Sequence, residues 1–368
     1  MNPGRLSPSM FNIMIDKIQS SIHHWSGNLL SYAGKLQLIN AVVFGLENFW
    51  CSVLLLPSHI LKIVNKLCKD YFWGISGKQR RMTFKGWSSI CKPWLEGGYN
   101  VKELLSWNKA LLCKWVRGSL DSRDGIWDRW NRTYNYKDHS FWDAQAKSWH
   151  AESWRDIIKT KNSLLDIAGS SVNAQRMLNA CVSHGQFRVG KAYHFFRDKG
   201  HPTRWVAALS APCVLPKHRL CTIQAGQRQL PTVDNLSNRG FFHTNWCSLC
   251  CHAAESHRHL FFRCPFSLQV MNSMLLWLGH SVLGGANDIK SCLYKLLGGG
   301  KKRIWRNDVA ASCVAGMVYE IWNARNTRIF GGAVNTPAQI ATTLQHTLKL
   351  RFSDTSDRRL QNWLATKI

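Results

Sequence analysis

With 368 residues, 45% of them apolar, the chain is long enough for two or three domains and too apolar to be disordered as a whole. Lysine and arginine outnumber aspartate and glutamate 48 to 21, a formal charge of +27 that exceeds what solubility requires and points to a polyanion, RNA, DNA or a hybrid, ahead of a membrane surface. Thirteen cysteines, an odd number and mostly scattered, and an N-terminus (MNPGRLSPSMFN) with no apolar secretory core exclude a secreted disulfide scaffold and imply an intracellular protein of nucleus or cytoplasm.

Phe11, Ile15, Ile18, Ile22 and Trp25 recur at steps of three and four, which predicts an amphipathic helix over 8–26. The apolar run from Leu36 to Pro57 approaches spanning length, but Gln37, Asn40, Glu47 and Asn48 interrupt it, so it reads as buried helix and no membrane partner is expected. Next, Ile60, Ile63, Val64, Leu67, Tyr71 and Phe72 share a face, with Lys62, Lys66 and Lys69 along another. That stripe has phosphate-contact spacing, although an ordinary solvated face would look the same. The following GKQRRMTFKGW adds Lys78, Arg80, Arg81 and Lys85, which would make the positive potential continuous across helix and loop.

A further helix is expected between Lys102 and Val116. Residues 118–184 are tryptophan-rich and polar and read as a linker with short helices. A new unit opens near Gly185, where GQFRVGKAYHFF has the content of a short strand leading into a helix. After Cys264 two more helical stretches follow, about 303–328 and one opening at Thr336-Pro337, an N-cap residue before proline. The fold class expected is mainly α. A helical N-terminal region (1–117) and the linker (118–184) precede a small zinc-stabilised domain with little strand (185–270) and a helical C-terminal region (271–368). The 18 tryptophans sit mostly at apolar positions of periodic segments, so core packing is their main expected role.

Between 247 and 264, CSLCCHAAESHRHLFFRC gathers four cysteines and three histidines. Zinc takes four ligands tetrahedrally, and two cysteines three apart can bind one ion from one tight turn. Cys247 and Cys250 have that spacing, and His259 with Cys264 supplies a second pair. Three thiolates and one imidazole would fill the coordination sphere, so a single Zn2+ would be structural. Cys251, His252 and His257 also lie within reach, and spacing alone leaves the set open. A metal-free group of buried thiols and surface histidines is the plainer alternative.

These residues resemble the zinc-binding domain that follows the polymerase in plant-type non-LTR (LINE-like) retroelement reverse transcriptases. That family runs from a Leu-Pro-Thr turn to C-x2-C, a Glu-Ser or Glu-Thr pair, His-Leu-Phe and Cys-Pro. The corresponding residues here are Leu230-Pro231-Thr232, Cys247, Cys250, Glu255-Ser256, His259-Leu260-Phe261 and Cys264-Pro265. The resemblance selects His259 over His257 as ligand. Upstream, LSYAGKLQLINAVVFGLENFWCSVLLLP and ICKPWLEGGYNVKELLSWNKALLCKW are similar to the helical thumb of the same elements, and IWNARNTRIF resembles their closing helix. Cys251 departs from the family, which commonly has glycine there; a strained turn or an alternative ligand would follow.

Two-metal polymerisation needs clustered carboxylates, which the family supplies partly as a paired aspartate, and no two aspartates are adjacent in this chain. The resemblance therefore implies a carboxy-terminal, non-polymerising fragment, not an enzyme by itself, that binds nucleic acid. It could act beside the upstream polymerase segment of the same element. A zinc-dependent adaptor for other proteins and a decayed element without a selected role are the rival readings.

Overall fold

In a computed structural model of the protein, residues 8–26, 30–74, 83–120, 126–136, 139–241, 245–279, 287–297, 305–354 and 358–367 are described. They are mainly helical, and among them a single two-residue hairpin is the only sheet. None of the thirteen cysteines is in a disulfide.

The amphipathic segment forms α1 (Pro8–Ser26), with Phe11, Met14, Ile15 and Ile18 buried. Ser31 caps α2 (Tyr32–Leu38) by accepting from the Gly34 amide, and α2 passes through a π-helical turn, Ile39–Val43, into α3 (Phe44–Cys51). The long apolar run is thus two short helices joined by a wider turn. No helix among the described residues is long and apolar enough to cross a membrane. α4 (Ser58–Trp73) buries Ile60, Leu61, Val64, Cys68, Tyr71 and Phe72. Ile63, assigned to the apolar face from its spacing, is 39% exposed; the buried face is rotated toward Leu61 and Cys68.

Polar groups that interrupt the apolar pattern tie elements together. In α6 (Leu104–Gly118), which follows the short α5 (Trp87–Ile90), buried Asn108 donates to the carbonyls of Cys51 (2.8 Å) and Leu54 (2.7 Å) and accepts from the Leu56 amide (2.7 Å). Asn48 accepts from the Trp107 indole at 2.7 Å. In the loop between α5 and α6, Gly98 is obligatory: a Cβ there would lie 1.9 Å from the Lys92 carbonyl oxygen.

The tryptophan-rich segment contains α7 (Ile126–Asn131), then α8 (Glu152–Ala168) and α9 (Ser171–Ala180). Where short helices were expected, α8 spans 17 residues and packs on α6. Its polar cast in sequence has a physical cause, because charged residues are buried there with partners. Lys161 is 2% exposed and donates to the carbonyls of Trp142 (2.7 Å) and Ala144 (2.6 Å), while Asp156 accepts from the Leu55 amide at 3.0 Å.

β1 (Val182–Ser183) and β2 (Gln186–Phe187) pair antiparallel around His184 and Gly185, both at positive φ, the conformation of a tight hairpin turn. They lead into α10 (Val189–Phe196), which packs on α6, so the strand-to-helix expectation near Gly185 takes this compact form. After α11 (Pro216–Gly226) and α12 (Val233–Ser237), α13 (His257–Phe262) and α14 (Pro265–Leu278) carry the chain to α15 (Ile289–Leu296). The centre is α16 (Trp305–Ile329), buried on nearly every side from Val309 to Val318, as a helix walled in by neighbours must be. It packs against α11, α14 and α17 (Pro337–Ser353), which opens on a full capping box between Thr336 and Gln339; α18 (Arg358–Ala365) closes the chain.

His218 in α11 is 1% exposed, its ring 4.9 Å from that of Tyr319, and neither ring nitrogen has a hydrogen-bond partner among the described residues. Burial, with the Lys217 charge adding to it, lowers its pKa from 6.5 to about 4. The unfolded chain therefore takes up a proton near pH 6.5 that the folded chain refuses until about pH 4. Stability should fall by about 3 kcal/mol as pH drops through that window and be unaffected above it. Denaturant melts of the parent and of His218→Phe check this; the variant should lose this part of the slope.

Candidate metal centre

Trp246 and Ala254 form an antiparallel bridge, flanked by bonds from the Cys247 amide to the Ala253 carbonyl (2.8 Å) and from the Glu255 amide to the Asn245 carbonyl (2.7 Å). At the tip the chain turns tightly, the Cys251 amide donating to the Cys247 carbonyl at 2.8 Å. The turn closes with Cys251 at φ +56°, a conformation that costs an L-residue roughly 1–2 kcal/mol and glycine almost nothing.

Ser256 then caps α13, its hydroxyl accepting from the His259 amide at 3.1 Å, which fixes the imidazole one turn into the helix. The His259 carbonyl accepts from the Cys264 amide at 2.7 Å, and Cys264 is the N-cap of α14, with Pro265 at the first helical position.

These elements bring Cys247, Cys250, His259 and Cys264 together, their ligand atoms all within 4.8 Å of one another. The Sγ atoms of Cys247 and Cys264 are 3.9 Å apart, and Cys250 Sγ lies 3.3 Å from His259 Nε2. A tetrahedron with metal–sulfur bonds of about 2.3 Å and metal–nitrogen bonds of about 2.0 Å has sulfur–sulfur edges of roughly 3.8 Å and sulfur–nitrogen edges of roughly 3.5 Å. The donor set therefore fits zinc in composition and separation. Cys247 and Cys264 are fully buried. The Cys264 thiol is pulled well below its usual range, first by the hydrogen bond from Cys247 and then by the Ser267 and Phe266 amides at the start of α14. Such thiolate character is what a metal requires.

The other nearby donors stand apart. Cys251 is exposed, His252 turns its Nδ1 to the Cys250 carbonyl, and the His257 ring packs against Phe261 at 5.4 Å between centroids.

A second set of contacts locks this unit to the rest of the chain. Glu255, 1% exposed, meets Arg325 of α16, 4% exposed, through bonds at 2.7, 3.1 and 3.2 Å, and also accepts from the Val233 amide at 3.0 Å. One turn along α16, Arg328 donates to the carbonyls of Ser248 (3.2 Å) and Leu249 at the cysteine turn. Glu255 and the IWNARNTRIF segment were visible in the sequence, but their pairing was not. The available signal was two arginines three apart at the end of a helix whose middle, from Val309 to Val318, is mostly apolar.

The basic candidates divide. Lys62, Lys66 and Lys69 are exposed along α4. Lys78, Arg80 and Arg81 lie outside the described residues. Lys85 is turned inward: its ammonium donates to the Gly97 carbonyl and to Gln227 (2.7 Å) and stands 4.7 Å from the Tyr99 ring centroid. Desolvation, then the Lys92 charge, lowers its pKa to about 8. Lys85 thus ties the glycine loop to α11.

The centre lies in a segment that matches a known family. Residues 187–270 match the family described as zinc-binding in reverse transcriptase. The resemblance read from the sequence is borne out over that segment, which holds all four converging side chains. A putative ribonuclease H protein of Arabidopsis thaliana is 28% identical over 156 residues, 42% of this chain; the chain spans about a quarter of that relative's length.

Two measurements check this reading of the matched segment. Cys251→Gly should raise stability by about 1 kcal/mol in denaturant melts and leave metal content unchanged; metal loss would make Cys251 a ligand. Arg325→Met leaves a buried carboxylate without its partner and should cost about 3–5 kcal/mol, of which pairing it with Glu255→Gln should restore a large part.

Proposed function

We propose that the chain is a zinc-containing, nucleic-acid-binding fragment of non-LTR reverse-transcriptase descent that does not itself polymerise. The single observation that carries this is the three-cysteine, one-histidine centre, two of its thiols fully buried, within a segment matching reverse-transcriptase zinc-binding domains. One Zn2+ held by Cys247, Cys250, His259 and Cys264 would have no open position for water, so its contribution is folding energy rather than chemistry. It would join the cysteine turn to α13 and the start of α14.

Binding rests on charge. A net +27 and the exposed lysines of α4 favour phosphate contacts, and no base-reading motif accompanies them, so affinity should depend little on sequence. Lys78, Arg80 and Arg81 extend the same basic run. Absence of an adjacent aspartate pair supports binding over polymerisation. The natural partners are RNA, DNA or their hybrid, together with the polymerase segment of the same element, inside the cell.

Affinity for a mixed-sequence duplex should fall steeply with salt, log Kd changing linearly with log salt concentration. Replacing Lys62, Lys66 and Lys69 together by glutamine should lower that slope by up to about 3. A flat salt profile, with partner proteins retained after nuclease treatment, would favour the adaptor reading.

A further inference from the structure

Beside the metal centre lies a cleft of about 650 Å³, within the size range of ligand pockets. Its walls come from three parts of the chain: Tyr32 and Trp73 from α2 and α4, Trp246 and the cysteine turn from the matched segment, and Trp322 of α16 with Phe330 in the turn that follows it. Aromatic side chains are normally withdrawn from water, yet Tyr32 is 44%, Trp246 62% and Phe330 81% exposed here.

The polar features of the cleft are hydrogen-bonding edges. Gln229 and Asn326 line it, and their carbonyl oxygens already accept from the Tyr99 hydroxyl (2.8 Å) and Arg325 (3.1 Å), so the amide nitrogens are what they can offer an occupant. Trp73 is 4% exposed, and its buried indole N–H has no acceptor among the described residues. The acidic neighbour, Glu255, is neutralised by Arg325. Two cations stand at lining rings: Lys35 lies 5.8 Å from the Tyr32 centroid, and the Arg239 guanidinium 4.4 Å from that of Phe84.

Flat apolar walls, donors without acceptors and cations at the margin match one chemistry: a planar ring with acceptor edges on a phosphate chain. We propose that this cleft takes an unpaired nucleobase of a single-stranded nucleic acid, stacked against Trp246 and Phe330, with flanking phosphates toward Lys35 and Arg239. The proposal deepens the nucleic-acid reading above and rests on it. Because Cys247, Ser248 and Cys251 form part of one wall, the stacking surface is shaped by the same turn that carries two of the metal ligands.

The test uses the full chain and three labelled probes: a mixed-sequence single strand of about eight nucleotides, an abasic phosphodiester of equal length, and the matching duplex. Fluorescence anisotropy should show the single strand bound at least roughly fivefold more tightly than the abasic chain, the scale set by stacking of one base. Trp246→Ala and Phe330→Ala should each remove most of that preference while leaving abasic binding and metal content unchanged. Both side chains are mostly exposed, and Phe330 lies outside the zinc segment, so its variant decides the matter even if Trp246→Ala disturbs the turn. Equal affinity for strand and abasic chain would overturn the base site and leave phosphate binding standing. So would a preference that survives both substitutions. Failure to bind any probe at low salt would sink the nucleic-acid reading as well.

Discussion

Three thiols and an imidazole within 4.8 Å of one another, two of the thiols fully buried, are held there by a turn, a helix cap and a second helix cap in succession. The Cys247 thiol and the Cys264 sulfur, 3.9 Å apart, share one hydrogen bond that leaves negative charge on Cys264, toward the amides at the start of α14. A divalent cation would let both act as thiolates, which is why the donor geometry decides how the segment is read. Between 245 and 264 little else organises the chain: the hairpin is a single bridge and α13 is only six residues.

The Glu255–Arg325 pair carries that local order outward. One carboxylate accepts from α16 and from the first amide of α12, so the Leu-Pro-Thr turn, the metal hairpin and the central helix share a buried node. Arg328 adds a clamp on the turn itself. A buried pair of this kind is weak evidence for net stability, since desolvation offsets much of the attraction, but breaking it strands a charge. Its contribution here is register, fixing how α16 meets the zinc segment. Trp322, three residues before Arg325 on α16, lines the aromatic cleft together with Phe330, Trp246 and Tyr32.

Much of this was legible in the residues. Periodicity located α1, α4 and α6, a glycine-lysine break and the Thr336-Pro337 cap signal located α16 and α17, and the interrupting polar residues in Leu36–Pro57 marked the run as packed helix, since Asn48 accepts from Trp107. Cysteine and histidine spacing offered the candidates, the family resemblance selected the four side chains that converge, and of the two consequences expected from a cysteine at 251 the strained φ is found. What stayed hidden needed long-range contact. Buried Lys161 and Asp156 gave α8 the look of a polar linker, because their partners are carbonyls and amides elsewhere in the chain. Lys85 looked like one more surface cation until Gly97 and Gln227 claimed its ammonium. Charge counts cannot separate a lysine that faces solvent from one that has been folded inward.

Metal content is the most direct test of the central claim. Mass spectrometry under native conditions on chain purified without added zinc should find one zinc per chain, lost from Cys250→Ser and His259→Ala and retained in His257→Ala. In comparable small sites zinc supplies on the order of 10 kcal/mol of folding free energy, so the two ligand variants should also lose protection from proteolysis across 245–264. A parent free of zinc, or ligand variants that bind it as the parent does, would contradict the account.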